Sequence, residues 1–115
     1  MCGIYGYIGQ PRGAEYLVER IRSLEYRGYD SAGIAYMTTN HTWVRHHGTG
    51  DIQTVIKNKK VSPERDQFEL GIAHTRWATH GVPSERNAHP HEFPDFYLVH
   101  NGIIENYQDL IESFN

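Results

Sequence analysis

The chain has 115 residues, room for one small domain built around one modest core. Its apolar share of 38% against 22% charged residues reads as globular, and a formal charge of −3 leaves no basic stripe for a nucleic-acid backbone. Short apolar runs exclude a membrane span, the opening residues lack a secretory leader, and a lone cysteine, which precludes an internal disulfide, predicts a reducing, cytoplasmic setting.

Residues 2–9 (CGIYGYIG) predict a buried strand in which Gly3 and Gly6 permit close backbone approach. Ala14, Leu17, Ile21 and Leu24 then recur at helical spacing, with Glu15, Glu19, Arg20 and Arg22 for the wet side. Gly28 is the expected stop, since glycine adopts the left-handed cap at little cost. Residues 33–37 and 42–47 read as two strands around a turn at Thr38–His41. A short helix is expected from Asp51, turning Ile52, Val55 and Ile56 inward. Asn58–Gln67, charged and carrying Pro63, predicts a surface loop. Residues 70–74 and 96–100 read as further buried strands, separated by a long His- and Pro-rich loop where function is expected. Asn106 is placed to cap a last helix that presents Tyr107, Leu110, Ile111 and Phe114 to the core.

The fold class is therefore α+β. Some five strands and three helices would leave a sheet edge or face bare, so the domain is expected to continue beyond Asn115. No internal repeat or linker divides the chain.

The chemistry concentrates at the start. With Met1 removed, Cys2 carries a thiol and a free α-amine on one residue. Unperturbed, these titrate near 8.5 and about 7.7–8.0, so roughly a tenth to a fifth of the amine is neutral at pH 7. That neutral fraction can take the thiol proton, directly or through a water, and so supply the nucleophile's base. With Met1 retained, the amine belongs to methionine and Cys2 loses that base. On Met-Cys-Gly alone, chance is the better explanation.

Five segments change that judgement: MCGIYG at 1–6, LEYRGYDSAGIA at 24–35, HTRWATHG at 74–81, NAHPH at 87–91 and HNGIIENY at 100–107. In this order, and over nearly the whole chain, they closely resemble the glutaminase domains of class-II glutamine amidotransferases, on the branch that makes glucosamine 6-phosphate. The resemblance implies an N-terminal-nucleophile αββα sandwich, two stacked antiparallel sheets between helical layers, with residues 1–115 as its N-terminal portion. It implies hydrolysis of glutamine to glutamate and ammonia through a Cys2 thioester, without a cofactor or metal. A separate sugar-phosphate isomerase domain, absent from this chain, would use the ammonia on fructose 6-phosphate, in an enzyme that can be a homo-oligomer.

Carried over residue by residue, the resemblance gives Asn101 (side-chain NH₂) and Gly102 (backbone N–H) to an oxyanion hole. By themselves these two residues would more often be a hairpin turn. Arg76 would grip the substrate α-carboxylate, for which a planar guanidinium suits two parallel hydrogen bonds. Thr79 and His80 would complete that pocket and Trp77 would cover it on a mobile loop, although a solvated arginine and a core tryptophan are the ordinary alternatives. Arg27 would position the terminal amine and the catalytic water, or equally face a helix dipole. Asp30 and Ser31 are expected to support the turn that follows. The acidic residue that binds the substrate α-amino group is expected beyond Asn115.

Two other readings compete. Eight histidines, among them His46-His47, His89-Pro90-His91 and the pair His74 and His80, raise a metal site, but no Cys pair or HExxH accompanies them. A non-catalytic module, a truncated glutaminase that binds through its unfinished sheet, is the second.

Overall fold

A computed structural model describes residues 2–77, 82–102 and 104–114, the side chain of Arg27 excepted. Its centre is a four-stranded antiparallel sheet of β1 (Gly3–Gly13), β2 (Ser31–Thr38), β3 (Trp43–Thr49) and β4 (Gln67–Arg76), in the order β1-β4-β2-β3. Helices α1 (Glu15–Arg22) and α2 (Ile52–Lys59) pack side by side on one face. The α+β class stands. Of the two stacked sheets and two helical layers that the resemblance implies, the described residues supply this sheet, one helical face, and a two-stranded ribbon of β5 (His91–Glu92) and β6 (Tyr97–Leu98).

Alternation explains the packed face. Tyr5 on β1 pairs with Ala73 on β4, which pairs with Ile34 on β2, which pairs with His46 on β3. With period two, Ala32, Ile34 and Tyr36 share that side with Gly71 and Ala73. There they meet Leu17, Val18 and Ile21 of α1 and Ile52 and Val55 of α2, all buried. Tyr36 donates its hydroxyl to the Asp66 carboxylate at 2.5 Å. Burial, reinforced by that carboxylate, holds its phenol well above the ordinary value.

The hairpin β2–β3 forms with its turn where expected, and Asp51 caps α2 by accepting the Thr54 N–H at 2.7 Å. Other expectations need correction. The first strand runs on to Gly13 through an irregularity between Ile8 and Arg12, and it is an edge rather than a buried strand. Its residues 4 and 8 point away from the helices, and Ile8 is 82% exposed. Gly3 does lie tight against Leu24, but a β-carbon at Gly6 would meet nothing. Helix α1 ends at Ser23, whose hydroxyl donates to the Arg20 carbonyl, and the chain continues as a 3₁₀ turn over Glu25–Arg27. Gly28 ends that turn at φ 100°, ψ 151°, a conformation open to glycine but not the left-handed helical cap.

The charged stretch 58–67 is not simply a surface loop. Its first residues finish α2, Pro63 is buried, and the Asp66 carbonyl accepts the Ala14 N–H. The strand expected at 96–100 is only Tyr97–Leu98, and Leu98 is half exposed, because its partner is the short β5 and not the central sheet. Helix α3 (Tyr107–Phe114) forms, but Tyr107, Leu110, Ile111 and Phe114 are all exposed, not turned into the core. Among the described residues no helix is long and apolar enough to cross a membrane.

Candidate active site

Cys2 precedes β1, and β1 lies beside β4, so the pairing Gly3↔Thr75 brings the nucleophile candidate to the end of β4. The Trp77 N–H points to the Cys2 sulfur at 3.5 Å, and the sulfur in turn lies 3.9 Å from the Trp77 carbonyl oxygen. From the far end of the chain, the Asn101 side-chain NH₂ donates to the Cys2 backbone carbonyl at 3.1 Å. Gly102 follows at φ 132°, where a side chain would be strained.

The Trp77 ring rests against Gly28, whose added β-carbon would come within 3.0 Å of it. The 3₁₀ turn that carries Arg27 is thereby brought to the same rim. Trp77 is itself 49% exposed. Arg76, the last residue of β4, receives the Asp30 N–H on its carbonyl at 2.6 Å and pairs with Ser31. Asp30 also accepts the Gly50 N–H at 2.8 Å, so Asp30 and Ser31 fix the start of β2 between its neighbours rather than a following turn. Cys2, Trp77, Asn101, Gly102, Arg76 and the Arg27 turn thus gather at one end of the sheet. Thr79 and His80 lie outside the described residues, as does the Arg27 side chain.

In the sequence His74, His89 and His91 belong to the HTRWATHG and NAHPH segments and to the metal reading, with no role of their own at the site. The structure gives them another use. His74, fully buried on β4, meets the Asn101 amide oxygen through Nε2 at 2.8 Å. The His89 ring stacks on it at 4.1 Å and His91 lies 4.2 Å beyond His89. His89 accepts the His100 backbone N–H on Nδ1 at 3.2 Å. Burial, then neighbouring positive charge from the other histidines and Arg76, pushes His89 down to about 3. Burial likewise brings His74 to about 4, and hydrogen bonding to Asn101 opposes the shift only in part. His46 and His47 are also held below the usual imidazole value by burial. No group of three or more His, Cys, Asp or Glu among the described residues is arranged to hold a metal ion. The available signal for His74 was its register: an alternating position on a strand already expected to be buried.

The segment that carries these rings is seated by absence of bulk. A β-carbon on Gly33 of β2 would lie 2.0 Å from the His89 carbonyl oxygen, so only glycine lets the backbone cross the sheet there. Arg45 adds a hydrogen bond to the Pro90 carbonyl at 3.4 Å, and Trp43 packs on Tyr97 at 4.8 Å between ring centres.

No family model matches the chain. Curated relatives do. Over 114 residues it is 51% identical to glutamine–fructose-6-phosphate aminotransferase (isomerizing) of Symbiobacterium thermophilum, a match covering 96% of this chain and 18% of that protein. The protein of the same name in Aliivibrio fischeri is 52% identical over 110 residues, again 96% and 18%. That of Thermotoga maritima is 49% identical over 114 residues, 97% and 18%. The chain spans 18% of the length of these curated relatives.

Proposed function

From the homology of this chain to the N-terminal segment of the glutamine–fructose-6-phosphate aminotransferases, we propose that it is the nucleophile-bearing part of a glutamine-hydrolysing domain. With Met1 removed, the Cys2 α-amine takes the thiol proton and the sulfur attacks the side-chain amide carbon of glutamine. The carbonyl oxygen becomes an oxyanion. One hydrogen of the Asn101 NH₂ holds the Cys2 carbonyl, and the second, with the Gly102 N–H, meets that oxyanion. Collapse of the adduct returns the proton to the leaving nitrogen, so ammonia departs and a thioester remains. Water then attacks the thioester and releases glutamate. Arg76 would bind the substrate α-carboxylate by paired hydrogen bonds. Thr79 and His80 complete its pocket, Trp77 closes over it, and Arg27 positions the amine and the water. The ammonia would serve amination of fructose 6-phosphate in a separate domain, and a reducing compartment such as the cytoplasm keeps the thiol competent.

The observation that carries this reading is the meeting of Cys2 with residues 75 and 99 positions away, one donor turned to its sulfur and another to its carbonyl. Intact-mass measurement tests the first step by showing whether Met1 is lost. Glutamate release is then compared among the processed chain, a Cys2→Ser variant and a form that keeps Met1. With the acidic residue for the substrate α-amino group expected beyond Asn115, the proposal expects weak release from the first and only background from the other two. Equal release from all three ends the mechanism.

A further inference from the structure

We propose that His74 is a positioning residue: its Nε2–H fixes the Asn101 amide so that the NH₂ group, not the oxygen, faces Cys2. The inference rests on the reading of Asn101 as an oxyanion donor and adds how that donor is aimed.

The two ends of an Asn side chain look alike in shape but opposite in hydrogen bonding. A backbone carbonyl can only accept, so the amide group 3.1 Å from the Cys2 oxygen is the NH₂. The other end is then the oxygen, which also only accepts, and it lies 2.8 Å from His74 Nε2. That nitrogen must carry the ring's proton. Rotating the amide by half a turn would set NH₂ against N–H and oxygen against oxygen, losing both bonds and adding two repulsions. The protonated nitrogen therefore selects one of two otherwise similar orientations, the one in which the NH₂ donates to the Cys2 carbonyl.

His74 is suited to this because it cannot move. It sits on the central strand, paired to Ile4 on one side and Gly33 on the other, with its ring fully buried. His89 stacks on the ring and, through Nδ1, holds the His100 N–H, the backbone immediately before Asn101. Two stacked rings thus grip two successive residues of one loop. Burial keeps His74 neutral at pH 7, with one proton to give. The Asn101 amide oxygen is the acceptor that meets Nε2 at 2.8 Å, so the proton belongs there.

The test uses the whole processed chain, with His74→Leu to remove the donor and His74→Gln to place an amide NH₂ near the position of Nε2. Long-range ¹H–¹⁵N spectra of the wild type should show His74 in the Nε2–H form. The side-chain NH₂ signals of Asn101 should move in His74→Leu and return toward the wild type in His74→Gln. In glutamate release, His74→Leu should lower kcat about tenfold to a hundredfold, part of what loss of a whole oxyanion donor costs. KM should stay within about twofold, because the donor acts on the transition state and not on substrate binding. The glutamine variant should recover most of kcat. An Nδ1–H tautomer in the wild type, unmoved Asn101 signals, or equal kcat in the two variants overturns the inference. A wild type that releases no glutamate, yet shows the expected tautomer and amide shifts, defeats the glutaminase reading and leaves the positioning of Asn101 standing.

Discussion

The sheet with its two helices and the segment over residues 82–102 are held by different forces. In the first, Leu17, Ile21, Ile34, Ile52 and Phe68 are removed from water entirely, and burial of such side chains contributes roughly 1.5–3 kcal/mol each before entropy is charged against it. In the second, Ala88 and Pro90 are buried but Phe93, Phe96 and Leu98 remain partly exposed, and the contacts that tie its end to β4 and to Cys2 are directional: His74 to Asn101 and Asn101 to Cys2. Apolar burial tolerates small displacements. Hydrogen bonds between stacked rings and a loop do not, which suits the part of the molecule that must place donors beside a sulfur.

The largest test of this contrast is in the core. Phe68 is fully buried and touches the rings of both Tyr7 and Tyr36, at 5.3 and 5.9 Å between centres. Phe68→Ala should cost about 3–5 kcal/mol, enough to unfold much of a small domain. Urea titration followed by circular dichroism measures it. A loss below about 1 kcal/mol would mean that the sheet and helices are not the stabilising unit.

Acid should find the other region first. His74 and His89 titrate near 4 and 3 in the folded chain, against about 6.5 when unfolded. Between those limits the unfolded rings bind protons that the folded rings refuse. Stability therefore rises with pH through this window, by up to about 1.4 kcal/mol per pH unit for each ring, and levels off above pH 6.5. The stack touches the His100 backbone and the Asn101 side chain, so opening should begin at residues 82–102. Hydrogen exchange at pH 5 should show those amides losing protection while β2 and β4 keep theirs. Uniform loss across both regions would show that they open as one unit.

Much of the first region is legible in the sequence. The helical spacing from Ala14 to Leu24 and the paired strands around Thr38–His41 depend on local rules, and both form. What the sequence does not disclose is which side of an all-apolar strand faces in: Ile4 and Tyr5 read alike, yet only Tyr5 packs against the helices. The site is legible in a different way. Cys2, Trp77 and Asn101 were linked through resemblance, because no periodicity relates residues 75 and 99 positions apart. The stack of His74 on His89 escapes both routes, since it depends on a bare Gly33 that lets the later segment lie across the sheet.

The smallest effect is expected at α3. Its apolar spacing is as regular as that of α1, yet Phe114 is 85% exposed and Leu110 and Ile111 are open to water. A helix of eight residues is marginal in water by itself, so without buried contacts its amides should exchange far faster than those of α1. Phe114→Ala should then change stability by no more than about 0.5 kcal/mol, the range of an ordinary surface substitution. Thermal melts of the variant and wild type decide the matter. A loss of several kcal/mol would place the ring in a packed interface, and helical spacing alone would then have been the better guide to where α3 belongs.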